Sequence, residues 1–289
     1  MSRKWMLFLV SILLGWTFMF CMDKGEAERF VKEAVAKEET FDGQIKVLIG
    51  LAWFDKSVPP EVSSFAIEEI KGNGRWAKYM LNKAIVSAPA SIQKEMIPIL
   101  HLAYDEGGTS HDLDYISTFH SLLKTGDRDI KIMAMDAFAK YSIQQGVLPI
   151  IDAVTADPSL LLHAIKTLGS IASPVSARFL VEQLSSNDRN IADATETSLS
   201  RMAAVASLEL KKGLSNDSRI VRERCLRIFL PISTVDDIPL LHHVKMKKER
   251  FDPELLEQLE KKIVELEEQK ILIEQMEQEE QEEGNVEMP

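Results

Sequence analysis

The sequence predicts an all-α fold, helix pairs stacked into a right-handed superhelix, and three observations carry that prediction. The first is a pattern in which an aliphatic residue is followed, four, seven and eight places on, by small or aliphatic residues. It falls at Val62-Ala66-Glu69-Ile70, Ile92-Met96-Ile99-Leu100, Ile130-Ala134-Ala137-Phe138, Leu160-Ala164-Thr167-Leu168, Ile191-Thr195-Ser198-Leu199 and Val221-Cys225-Ile228-Phe229. The starts lie 30, 38, 30, 31 and 30 residues apart, and self-similarity at a nearly fixed period of this size marks a repeat array.

The second observation is an aliphatic pair in step with the first pattern, at Ile150/Val154, Leu180/Leu184, Leu210/Leu214 and Leu240/Val244, with Leu81/Ile85 and Phe119/Leu123 upstream. Spacings of three, four and seven put side chains on one helical face, so each copy is two amphipathic helices. The third is the punctuation. Asp127, Asp157-Pro158, Asn187-Asp188 and Asn216-Asp217 precede the first helices, where a side-chain oxygen can cap free N–H groups. Gly146, Pro149, Ser173-Pro174 and Pro239 interrupt the chain between helices.

Such hairpins must stack to be stable. Ordering a backbone costs roughly 1–2 kcal/mol per residue, while each buried core side chain returns about 1.5–3 kcal/mol, so a lone hairpin with a handful of core residues does not fold. Stacking buries both faces of every internal copy and makes stability a sum over neighbours. Composition agrees: 27% charged and 45% hydrophobic residues, with little Gly or aromatic content, suit a helical chain with a substantial core.

Leu214-Ser215-Asn216-Asp217-Ser218-Arg219-Ile220-Val221-Arg222, followed by Cys225 and Ile228-Phe229, resembles the HEAT-repeat consensus, an Asp-rich turn leading into Val-Arg and spaced alanines. The copy at Ile130-Lys131, with Ala134 and Ala137, is similar. The resemblance spans roughly residues 61–248 and describes a HEAT/armadillo-like solenoid, not an activity. Only Arg222 and Lys131 keep the basic residue of the pattern, and Thr195 and Ser198 stand in alanine places, which predicts looser packing of that copy.

Flanking segments follow from composition. Arg3 and Lys4 precede an uncharged run that begins at Trp5 and ends at Met22, long enough as a helix to approach the roughly 30 Å hydrocarbon thickness of a bilayer. The leading expectation is a retained signal anchor over residues 1–22, giving a single-pass membrane protein with an exported repeat domain. A signal cleaved near Gly25-Glu26-Ala27, a lipid anchor on Cys21 and a buried first helix remain open. Residues 23–60 read as a helical N-terminal cap or degenerate repeat, since Val31 lies 31 residues before Val62. Residues 61–250 hold the repeats. Residues 251–276 read as a helix, its Leu256, Leu259, Ile263, Leu266 and Ile273 forming either a short coiled-coil seam for self-association or a cap on the last repeat. Residues 277–289 read as a disordered acidic tail that supplies much of the net charge of −11.

Chemistry-bearing motifs are few. His101 and His111-Asp112 resemble in type the metal ligands of HD phosphohydrolases, but only ten residues separate the two elements and Gly107-Gly108 bridges them, which favours a polar loop. His242-His243 stands beside Lys245, Lys247 and Lys248; neighbouring imidazoles diverge by about 100° on a helix and rarely share a metal. The two cysteines, Cys21 in the apolar run and Cys225 in a core place, predict no internal disulfide. The acidic balance and lack of a sustained Lys/Arg stripe argue against nucleic acid. No metal or cofactor is implied.

The expectation for function is a membrane-tethered scaffold or assembly factor without catalysis, which the resemblance implies because such arrays offer long surfaces to other proteins. The residue two places after the first aliphatic of each second helix gives the column Asp152, Glu182, Lys212 and His242, flanked by Gln183 and His243, as a candidate protein-binding row. The resemblance also implies an alternative, since short alanine-marked repeats of this kind occur in lyases that attach bilin pigments.

Overall fold

A computed structural model describes residues 22–107 and 112–284, and the chain divides into two compact units between Ala137 and Phe138. The described residues are all-helical and turn. In the first unit lie α1 (Lys24–Val35), α2 (Phe41–Ile49), α3 (Pro60–Gly72), α4 (Gly74–Ser87), α5 (Ala90–Gly107) and α6 (Leu113–Thr125). Helix α7 (Arg128–Lys140) runs through the division. The second unit continues with α8 (Val147–Ala156), α9 (Leu161–Ile171), α10 (Pro174–Gln183), α11 (Arg189–Arg201), α12 (Ala203–Gly213), α13 (Arg219–Phe229), α14 (Ile238–Met246) and α15 (Pro253–Gly284).

Within each unit the helices form two layers. In the first, α3 packs on both α1 and α5, and α4 packs on both α2 and α6. In the second, α11 packs on α9 and α13, and α10 on α8 and α12. First helices thus stack on first helices and second on second, as a repeat of one hairpin requires.

The repeated residues are the ones buried. Val62, Ala66, Ile70, Ile130, Ala134, Ala137, Phe138, Leu160, Ala164, Thr167, Leu168, Val221, Cys225, Ile228 and Phe229 are all buried, as are Leu81/Ile85, Phe119/Leu123, Ile150/Val154, Leu180/Leu184 and Leu210/Leu214. Departures have local causes. In α5, Ile92 is half-buried and Gln93 takes the inner place, donating its Nε2 to the Ile85 carbonyl at 3.0 Å. In α14, Leu240 is half-buried and Leu241 fully so, a one-residue advance of the core frame that follows the short helical turn at Val235–Asp237.

The copy expected to pack loosely is tight. Thr195 and Ser198 are buried, and the Thr195 hydroxyl donates to the Ile191 carbonyl at 2.6 Å. A Cβ added at Gly169 of α9 would stand 2.6 Å from Ser198 Cβ. The two first helices therefore touch through a glycine and a serine, so small size at these places sets the spacing, whether or not the residue is alanine.

Side-chain caps begin several helices where the sequence placed them. Asp157, Ser173 and Asp188 side chains accept from Ser159, Ser176 and Asn190 N–H groups. Asp237 does more. Its carboxylate accepts from the Thr234 N–H at 2.9 Å and pairs with Lys211 Nζ of α12 at 2.6 Å. Burial opposes its ionisation, but the Lys211 and Thr234 bonds outweigh that and hold its carboxyl below the ordinary value of 3.8. A carboxyl whose folded pKa is depressed stabilises the fold above its unfolded pKa, and that contribution is lost as pH falls through the folded value. Asp237→Asn is therefore expected to lower the melting temperature at neutral pH, with the gap to wild type closing on acidification below the usual carboxylate range. Thermal melts across pH check this; a gap independent of pH would refute it.

Two expectations are corrected. Apart from Met22, the run ending there lies outside the described residues, as do Cys21 and the open alternatives for the first twenty-one positions. Among the described residues no helix is long and apolar enough to cross a membrane: only α5 and α15 reach 18 residues, and neither is apolar enough. The single-pass, exported assignment and the membrane as a partner are therefore withdrawn. Of the two readings of the seam, packing favours the cap on the last repeat. Leu259, Ile263 and Leu266 are buried together with Leu255, where α15 lies on α14 and the Val235–Asp237 turn, whereas Leu256 is half-buried and Ile273 is exposed. Helix α15 also runs through the Glu/Gln-rich stretch to Gly284 instead of ending at 276.

Candidate protein-binding face

The second helices of the second unit bring the predicted column together in part. Beneath it lie the buried pairs Ile150/Val154, Leu180/Leu184 and Leu210/Leu214, which fix the rotation of α8, α10 and α12 about their axes. With those faces turned inward, Asp152, Glu182 and Lys212 are exposed at matching positions on three helices packed side by side, and Gln183 is half-exposed. Lys212 pairs with Glu209 of its own helix at 2.6 Å, an exposed pair worth little. His242 and His243 are both exposed on α14. His242 Nε2 lies 2.9 Å from Glu267 Oε1, so the last member of the column is engaged by α15.

The outer sides of α11 and α13 are tied by charge. Arg224 Nε pairs with Glu196 at 2.8 Å and its Nη1 donates to the Leu184 carbonyl at 2.6 Å, with Arg227 3.7 Å from the same glutamate. Arg222, the basic residue of the HEAT-like line, is 5% exposed. Its guanidinium donates to the carbonyls of Asn216 and Asp217 at 2.8 Å each and of Arg250 at 3.1 Å. It holds the turn before α13 against the segment that leads into α15.

The candidate chemical groups serve packing. In the first unit the Tyr115 hydroxyl meets His101 Nδ1 at 3.0 Å, and the His101 ring stacks on Phe119 at 5.4 Å. Asp112 caps α6 and pairs with Lys78 at 2.8 Å; burial opposes its ionisation, but Lys78 and the Asp114 N–H hold its carboxyl below the ordinary value. His111 lies outside the described residues. Cys225 is free and buried, and burial, then the Glu196 charge, push its thiol up to about 12, too high for a thiolate nucleophile near neutrality. Among the described residues no group of three His, Cys, Asp or Glu converges to hold a metal.

Sequence reasoning missed an exposed aromatic stripe in the first unit. The core of α4 is Ala77, Leu81 and Ile85, while Trp76 and Tyr79 are 64% and 54% exposed on another side. Trp76, Tyr79, Lys83 and Val86 recur at spacings of three and four, which is the signal of a second face. Phe41 of α2 meets Trp76 edge-on at 6.5 Å. Beside this stripe an open trough between α4 and α6 is lined by Tyr79, Asn82, Lys83, Asp114, Ser117 and Ser121. The core period is legible in the sequence, whereas these aromatic residues fall outside its frame.

These features define an all-helical protein of stacked helix pairs that presents surfaces, and the all-helical build is consistent with the HEAT-like resemblance. No family model matches the chain, and no curated protein matches it. Among solved structures the chain is similar to an archaeal HEAT-like repeat protein from Thermococcus onnurineus NA1, 13% identical, covering 86% of this chain and 98% of that one, with a TM-score of 0.31. It is also similar to an engineered protein solved by the Northeast Structural Genomics Consortium, 17% identical, covering 83% of this chain and 68% of that one, with a TM-score of 0.32.

Proposed function

We propose that this chain is a protein-interaction scaffold without catalytic activity of its own, binding a protein partner across the second helices of its second unit. The observation that carries the reading is the column Asp152, Glu182 and Lys212, exposed in matching register on three helices whose opposite faces are buried. Charges spaced by helix packing offer a partner a fixed pattern of opposite charge, which gives specificity and speed of encounter. The open form of the trough between α4 and α6 suits a protein surface better than an enclosed pigment. The use of His101, Asp112 and Cys225 in packing and capping favours a role without chemistry.

Asp152→Lys, Glu182→Lys and Lys212→Glu together test the reading. His242 is left in place because it engages Glu267 of α15. Partners captured and cross-linked by the wild type should be lost by the triple variant, while its melting temperature stays within about 2 °C because surface substitutions shift stability little. Retention of the same partners by a folded triple variant would discard the column.

A further inference from the structure

Helix α15 has two halves with opposite surroundings. Leu255, Leu259, Ile263 and Leu266 are buried against the last repeat, whereas every side chain from residue 267 to 278 is exposed. The exposed half is not simply a solvated spacer. Leu272, Ile273 and Met276 are 58%, 47% and 55% exposed and, being one and four residues apart, form one stripe about a turn long. That stripe lies within a strongly acidic frame: residues 267–283 hold eight glutamates against the single Lys270. No basic residue stands in the last turn of α15, so the negative charge also falls at the helix end where the backbone dipole is itself negative.

These features select an occupant. A second copy would bring the same apolar stripe but also the same glutamates, and like charges facing one another across a helix pair are destabilising. A helix with an apolar stripe flanked by Lys or Arg would cover the stripe, pair with the glutamates and offset the unfavourable charge at the helix end. We propose that residues 267–284 of α15 are a docking helix for a basic amphipathic helix of another protein, seated on Leu272, Ile273 and Met276. This deepens the scaffold reading by naming a partner chemistry, and it uses residues apart from the Asp152 column.

The test uses the full chain and a fluorescent synthetic peptide helix carrying a leucine stripe flanked by arginines, with a control in which glutamates replace the arginines. The arginine peptide is expected to bind, more weakly as salt is raised, and the glutamate peptide not to bind. Leu272→Gln, Ile273→Gln and Met276→Gln together keep the charge and spare the buried leucines; they should weaken binding at least about tenfold, since apolar anchors dominate such contacts, with the melting temperature unchanged. The Asp152→Lys, Glu182→Lys, Lys212→Glu variant should still bind the peptide, so failure of the column leaves this inference standing. Equal affinity of the triple-Gln variant would overturn the proposal. So would concentration-dependent dimerisation of the peptide-free protein that the triple-Gln variant abolishes, because the stripe would then belong to a second copy.

Discussion

Replacing Arg222 by methionine is expected to destabilise the last repeat by about 3 kcal/mol, because hydrogen bonds to a charged group contribute roughly 1.5–3 kcal/mol each, and three are lost while water can reach the freed carbonyls in part. Methionine keeps much of the apolar stem, so the experiment isolates the guanidinium. The bonds run to Asn216, Asp217 and Arg250, two before α13 and one just ahead of α15, so the loss should appear as faster amide exchange in α13 to α15. Arg222→Lys should recover little, since an ammonium cannot reach three carbonyls with the planar fork of arginine. Urea unfolding followed by residue-level hydrogen exchange reads both effects. Unchanged exchange in the last repeat would show that Arg222 is a bystander.

The second large effect concerns Gly213. Glycine inside a helix normally costs about 0.5–1 kcal/mol relative to alanine, and Gly213, the last residue of α12, has φ in the ordinary helical range, so Gly213→Ala should not destabilise if only propensity matters. A Cβ at this position would instead stand far inside van der Waals contact distance of the Cys225 Sγ on α13. Overpacking of this kind costs about 1–3 kcal/mol, so the sign should reverse and Gly213→Ala should destabilise. Cys225→Ala removes the sulfur and opens the space. In that background Gly213→Ala should become neutral or favourable, a coupling that a double-mutant cycle measures directly. Additive effects would mean that α12 and α13 do not approach as closely as described.

Much of the fold was legible because stacking imposes a period on the sequence. The frame at Ile130, Ala134, Ala137 and Phe138 is buried at each place, and the same frame thirty residues on is buried at Leu160, Ala164, Thr167 and Leu168. What escaped were positions decided by neighbours. The inward place of Gln93 depends on a bond to the Ile85 carbonyl, and the advance from Leu240 to Leu241 on the turn before α14. The fate of the Leu259–Ile263–Leu266 seam was undecidable from period alone, since the same spacing serves a partner helix or the molecule's own last repeat. For the candidate face, sequence spacing picked out Asp152, Glu182 and Lys212, which are exposed, yet it could not show that Glu267 reaches His242 or that Trp76 and Tyr79 are turned outward.

The central claim is that consecutive hairpins stack first helix on first helix, with small residues setting the distance. A proton Overhauser experiment on the selectively labelled protein tests it most directly at Gly169 and Ser198, which lie on different helices of the second unit and approach within 2.6 Å of the position a Gly169 Cβ would occupy. Strong cross-peaks between the Gly169 α-protons and the Ser198 β-protons are expected. Chemical shifts showing α9 and α11 to be helical, without those cross-peaks, would contradict the stacking.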